Sequence, residues 1–341
     1  MPIAPQTLFT AAAKEHASDV HIIVGHPPLL RIDGKLVEHG KEKVTKAGAE
    51  RFVRTVLGAK QFDVLKDRRE IDVSYGISNG VRLRVNCHYE RGNLGLAARL
   101  IPTEIPSLQD IGFTDVMRDL CTLSEGLILF TGPTGAGKST SMAAMIQHIN
   151  TQRATSIVTL EDPIEFLFPA GKSAIRQRQY GEDFRSFSEA LKRVLRQDPN
   201  IIMVGEMRDI ETIAAALTLA ETGHLILATL HTPNAVQTID RIIDVFPSHQ
   251  QQQIRTQLSF SLKAVVAQRL VPRNGGGRIA VREMLLSTPA VSNIIRDNRL
   301  QELSSVIQSN RAMGMCTFES EAKRLLKEEE ITQDTYDIVT K

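Results

Sequence analysis

The stretch Phe130 to Ser141, FTGPTGAGKSTS, carries the densest chemistry in the chain. Gly132, Pro133, Thr134, Gly135, Ala136, Gly137, Lys138 and Ser139 meet every fixed position of G-x-x-x-x-G-K-[S/T], a backbone cradle for phosphate. Glycines let N–H groups turn inward on an anion with no Cβ in the way. A helix beginning at Lys138 would add the positive end of its dipole. On this reading Lys138 reaches the β- and γ-phosphates of ATP, Ser139 ligates Mg²⁺ and Thr140 adds an α-phosphate contact.

Such a loop needs acids opposite it. Glu206 follows the apolar run Ile201–Val204, where a carboxylate could orient or deprotonate the attacking water. Gly205 occupies the place where an aspartate is common. Glu161, Asp162 and Glu165 follow a second apolar run and suit the water shell of Mg²⁺; capping of a helix ahead of Pro163 is the plainer alternative. His224 and His231 stand at the two ends of a third run. A lone histidine usually satisfies an ordinary core hydrogen bond. At a strand end in a nucleotide-binding sheet it could also touch the γ-phosphate or the Mg²⁺ shell. Arg82 and Arg84 alternate with Val81, Leu83 and Val85 and so share a strand face, with Arg91 and Arg99 to follow. They are either a solvated face or arginines offered to the phosphates of an adjoining subunit.

The elements that must position these residues fall into two groups. Residues 1–100 read as a small α+β domain with helices in 7–17, 46–58 and 60–67 and short strands between them. Within it, 70–92 reads as a hairpin turning at Ser78-Asn79-Gly80. Residues 101–112, with Pro102 and Pro106, read as a linker. From 113 to 341 short apolar runs alternate with helices, placed at 138–150, 186–196, 209–222 and 234–244, the pattern of a mostly parallel sheet covered on both faces. Residues 249–270 read as one long amphipathic helix, 269–286 as a hairpin with a glycine turn, and the tail as mainly helical.

Composition narrows the class. A chain of 341 residues favours two domains over one core. A net charge of +2 and 5% aromatic residues without tryptophan give no case for stacking on bases or for an obligate nucleic-acid binder. Cys87, Cys121 and Cys316 are too far apart for a zinc knuckle and suit a reducing compartment. With no signal-peptide pattern and no apolar run long enough to cross a bilayer, the expectation is a cytoplasmic protein whose membrane role needs a partner.

With the motifs placed, the chain resembles the secretion-type hexameric ATPases, and most of all the type IV pilus retraction motors of the twitching-motility PilT family. The opening at Ser18–Gly34, the phosphate loop, an Asp box at Thr159–Phe166, a Walker B stretch at Val204–Asp209 and a His box at Thr222–Thr232 occur in that family's order. Thr288–Arg296 and Gly314–Glu319 resemble its C-terminal motifs, with Ser292 where the family has arginine. The resemblance implies a PAS-like domain ahead of a RecA-like P-loop core, a hexameric ring, and ATP with Mg²⁺ between domains, closed by a neighbouring subunit. It assigns Glu206 as the catalytic glutamate, Glu161 as the Asp-box acid, His231 and His224 as His-box residues, and Arg84 and Arg99 as first-domain arginines. Arg91 stands one place earlier than in most retraction motors, as in the PilU-type paralogue. The partners implied are a homohexamer, an inner-membrane pilus platform protein and a PilU-like paralogue, at the inner face of the cytoplasmic membrane, with no nucleic acid. The alternatives are a type IVB secretion or conjugation ATPase, a RecA-like nucleic-acid translocase and a non-catalytic nucleotide-binding module.

Overall fold

The computed structural model describes residues 4–32, 34–77, 81–101 and 104–340. The chain forms two compact units, Met1–Glu104 with Glu165–Leu167, and Ile105–Ile164 with Phe168–Lys341. The Ser78-Asn79-Gly80 turn expected from the sequence lies outside the described residues.

The first unit runs α1 (Pro5–Lys14), β1 (Asp19–Ile22), β2 (Leu29–Ile32), β3 (Lys35–Glu38), α2 (Lys46–Arg68), β4 (Glu70–Gly76), β5 (Arg82–Glu90) and β6 (Asn93–Ile101). Among the described residues its strands form one antiparallel sheet in the order β3-β2-β1-β6-β5-β4. Val20, Leu30, Val73, Val85 and Ala98 face the helices, packing with Phe9, Phe52 and Phe62. α2 breaks at Gly58 (φ 67°, ψ 177°), which yields the two helical segments that the sequence pattern predicts. Each residue of β3 is exposed, so no apolar alternation marks it in the sequence.

The second unit continues with α3 (Asp115–Asp119), β7 (Gly126–Thr131), α4 (Lys138–Gln152), β8 (Ser156–Glu161), β9 (Ala174–Gln179), α5 (Phe187–Val194), β10 (Ile201–Val204), α6 (Ile210–Glu221) and β11 (Leu225–Thr229). α7 (Ala235–Asp244), α8 (Ser248–Ser261), β12 (Leu262–Pro272), β13 (Arg278–Leu286), α9 (Pro289–Arg296), α10 (Leu303–Ser309), α11 (Phe318–Lys327) and α12 (Gln333–Thr340) complete it. The sheet order is β13-β12-β7-β11-β10-β8-β9, all parallel except β13. β7 is buried along its whole length. Leu127 and Leu129 pack toward α5–α8, and Ile128 and Phe130 toward α4. That double coverage is why the strand reads as a continuous apolar run.

The long helix expected over 249–270 is corrected. α8 stops at Ser261 and the chain turns directly into β12. Ala264–Ala267, with adjacent β-branched Val265 and Val266, lies beside β7 in parallel register, Val265 against Leu129 and Val266 against Phe130. A residue run that is apolar on consecutive positions gains burial on both faces of a sheet, where a helix would expose part of it.

β13 also anchors the segment entering this unit. Arg282 is buried, and its guanidinium donates to the carbonyls of Ile111 (2.7 Å) and Gly112 (3.3 Å) and stacks on Phe113. Burial pulls its proton affinity down to about 10, against the opposing charge of Glu321. Among the described residues no helix is long and apolar enough to cross a membrane.

Candidate active site

Loops at the carboxyl ends of four adjacent parallel strands, β7, β11, β10 and β8, carry the candidate residues of the second unit, the place where open α/β sheets bind ligands. The phosphate loop leaves β7, and α4 begins at Lys138 with Gly137 as its left-handed cap (φ 83°). Gly132 and Gly137 are needed because β12 passes close beneath them. A Cβ on Gly132 would lie 2.2 Å from the carbonyl oxygen of Gln268, and one on Gly137 would lie 3.2 Å from its Nε2. Lys138 is 8% exposed, and its ammonium donates to the carbonyls of Gly132 (2.7 Å) and Pro133 (3.0 Å), folding it back over the loop. Two positions that only glycine fits well, an enclosed ammonium beside them and a helix N-terminus behind them are the features a phosphate site requires.

Glu206 stands just past β10, two strands from the loop, or about 10 Å at ordinary strand spacing. Its carboxylate is held by Arg208 Nε at 2.7 Å and lies 3.8 Å from His231 Nε2. Its neighbours in sequence have other tasks: Met207 fills the core, and Asp209 caps α6 by accepting from the N–H and hydroxyl of Thr212. Arg208 lies within the Walker B stretch, and nothing in the sequence marks it as the partner of Glu206.

Glu161 closes β8 and is 5% exposed. Its Oε1 accepts from the hydroxyl of Thr159 (2.6 Å) and the amide of Gln177 (3.1 Å). No helix follows: Asp162 and cis-Pro163 open an irregular segment that runs to 173, so capping is not what these acids do.

The His-box loop is tied to both sides. Thr131, the last residue of β7, donates its hydroxyl to the Thr232 carbonyl at 2.5 Å and lies 2.6 Å from the Thr232 hydroxyl, which in turn meets Thr238. Thr229 donates to the Gly205 carbonyl, and Met207 N–H donates to that of Thr229. These bonds hold His231 beside Glu206. His224 is not brought there. It precedes β11 at the opposite end of the strand, about 20 Å away by strand rise. Its Nδ1 instead lies 3.1 Å from the Leu219 carbonyl and 3.3 Å from the Thr222 hydroxyl, at the end of α6.

Glu283 steadies the start of α7 by accepting the Ala235 N–H at 2.9 Å. Burial pushes its carboxyl above the usual range, although that hydrogen bond and Arg269 pull the other way. Because the folded state favours the protonated acid, the carboxylate costs stability above its folded pKa, and the cost disappears below the usual 4.5. Glu283→Gln keeps an oxygen acceptor without the charge. It is expected to raise the melting temperature at pH 8 by roughly 2 °C, with the difference shrinking toward pH 4.5. A fall at pH 8 in a thermal scan would contradict this.

In the first unit the arginines form a cross-strand row. Arg31, Asp19, Arg99 and Arg84 occupy directly opposed positions on β2, β1, β6 and β5. Burial alone would raise the Asp19 carboxyl. Hydrogen bonds from Arg99 Nε (2.8 Å) and Ser18 outweigh it, so its pKa lies below the usual value. Like charges face each other at Arg84 and Arg99, an arrangement that repels unless an anion intervenes. Arg91 and Gly92 form the two-residue turn between β5 and β6, at φ 49° and 73°. Ser292, on α9, donates its hydroxyl to the Ser259 carbonyl at 2.8 Å.

The type IV pilus retraction ATPase PilT of Pseudomonas aeruginosa is 40% identical over 94% of this chain and 93% of its own. The type IV pilus ATPase PilU of the same organism is 37% identical over 96% of this chain and 86% of its own. A crystal structure of the pilus retraction motor PilT with bound ADP superposes with a TM-score of 0.92 at 40% identity, covering 99% of this chain and 97% of that one. The type II/IV secretion system protein family matches residues 2–275. The chain belongs to that family of secretion-type ATPases, with a P-loop α/β core.

Proposed function

We propose that the chain is an ATP-hydrolysing motor that works as a homohexamer and drives type IV pilus retraction through a platform protein at the inner face of the cytoplasmic membrane. The observation that carries this reading is the convergence of the phosphate loop, Glu206, Glu161 and His231 on one edge of the parallel sheet, in a chain 40% identical to PilT.

In this reading the N–H groups of residues 132–137 and the Lys138 ammonium hold the β- and γ-phosphates of the substrate ATP, and Thr140 meets the α-phosphate. Ser139 would hold Mg²⁺, with Glu161 on its water shell, and the bound ion would supply charge neutralisation across the transferring phosphoryl. Glu206 orients the attacking water and takes its proton as the oxygen–phosphorus bond forms and ADP leaves. His231, in reach of Glu206, senses or stabilises the departing phosphate. Arg84 and Arg99 are offered in trans by a neighbouring subunit, where such a cation contributes roughly 10³- to 10⁵-fold. That contribution would make each site depend on its neighbour, so turnover travels round the ring. The position of His224 supports a helix-capping role over nucleotide contact within its own chain.

Deletion of the gene tests the biological half. Cells are expected to remain piliated and to lose twitching. Normal twitching in the deletion strain, or a secretion defect in its place, overturns the retraction reading.

A further inference from the structure

We infer that Gln268, on β12, is a positioning residue of the nucleotide site: its buried amide sets the orientation of the Ala136–Gly137 peptide and so aims the Gly137 N–H into the phosphate cradle. This rests on the reading of residues 132–139 as the ATP site.

Gln268 is 1% exposed, and both ends of its amide are used. Nε2 donates to the Ala136 carbonyl at 2.6 Å, and Oε1 accepts from the Ser141 hydroxyl on the first turn of α4 at 3.0 Å. The Ser141 bond fixes which way the amide points, so the NH₂ end is turned to the loop. In a trans peptide the C=O and the following N–H point in opposite directions. Tethering the Ala136 oxygen outward, toward β12, therefore turns the Gly137 N–H to the other side, which is the side of the phosphate. Gly137 is free to rotate at that peptide because its φ of 83° carries no steric cost. The loop's glycines give the backbone its freedom, and Gln268 removes that freedom at one bond. The same residue's main-chain oxygen bounds Gly132 at the other end of the loop. One β12 residue thus touches both ends of the cradle.

The tether is also costly to lose. Ala136 is 2% exposed, so its carbonyl has no water to turn to. Without the Gln268 donor it must rotate toward another partner or stay unsatisfied.

The test uses the full chain. ADP affinity is measured by calorimetry and ATP turnover by phosphate release, beside unliganded melting curves, for wild type, Gln268→Met, Gln268→Glu and Ser141→Ala. Gln268→Met keeps length and packing, and Gln268→Glu keeps the acceptor for Ser141 but sets an oxygen against the Ala136 carbonyl. Both are expected to weaken ADP binding roughly tenfold or more and to raise KM more than they lower kcat, beyond any fall in unliganded melting that the unsatisfied Ala136 carbonyl causes. Ser141→Ala, which lets the amide turn, is expected to weaken ADP about threefold. A purely structural role would instead lower melting and leave ADP affinity intact. Folded Gln268 variants that bind ADP as wild type does overturn the proposal. Should those variants not fold, unchanged ADP affinity in Ser141→Ala overturns it. A wild type that binds neither ADP nor ATP refutes the underlying reading of the loop instead.

Discussion

Lys138→Ala is expected to lower ATP turnover by roughly 10³-fold, the scale at which preorganised charge is removed from a phosphoryl-transfer site. The ammonium of Lys138 sits at the first position of α4, nearly out of water, leaning on the carbonyls of Gly132 and Pro133. A cation enclosed beside a glycine cradle is placed to meet an anion in the loop. Its location at a helix N-terminus is unfavourable for a cation in the absence of that anion. Alanine is a better helix former, so the fold is expected to survive. The same preparation should keep its circular dichroism while losing phosphate release and ADP binding together. Turnover near wild type in Lys138→Ala would remove the phosphate loop from the mechanism.

The second large effect separates binding from chemistry. Glu206→Gln is expected to cost roughly 10²- to 10⁴-fold in turnover, the usual share of a general base, while ATP binds about as tightly as in wild type. Glutamine preserves the shape of the side chain, which is largely enclosed, and an oxygen for Arg208. It cannot accept a proton from water. Nucleotide exchange after mixing with ATP should therefore show ATP, not ADP, retained on the protein. Turnover within threefold of wild type would transfer the base role away from Glu206. A parallel loss of ATP affinity would mean that the residue binds the substrate instead.

Much of the second unit is legible in the sequence for one reason. Strands buried on both faces are apolar at successive positions, and β7, β8, β10 and β11 all announce themselves that way. β9, an edge strand reading Ala174-Ile-Arg-Gln-Arg-Gln179, has no such run and passes for a loop. The α8–β12 boundary escapes because glutamine-rich helix and apolar strand join with no glycine or proline between them. His224 and His231 look equivalent as two ends of one strand. The parallel pairing of β11 with β7 separates them, since only the carboxyl end of β11 meets the loop that follows β7.

The partners of the site are the least legible. Gln268 lies 132 residues from the Ala136 carbonyl it holds, and no periodicity connects them. Thr131 and Thr232 lie 101 residues apart, and their bond appears only once β7 and β11 stand side by side. The arginine row is partly readable, because alternation places Arg84 on the outer face of β5. Its pairing with Arg99, and the role of Asp19 in holding Arg99, depend on register across three strands.

The glycine at 205 carries a consequence for anyone redesigning this motor. A side chain there would place its Cβ 3.1 Å from the Leu160 oxygen and 3.4 Å from the Glu161 Cα, tight enough that the neighbouring strand must give by a few tenths of an ångström. An aspartate at that place would thus press on the backbone from which Glu161 projects. The bare position at 205 leaves the Leu160–Glu161 backbone undisturbed, and with it the acid that closes β8.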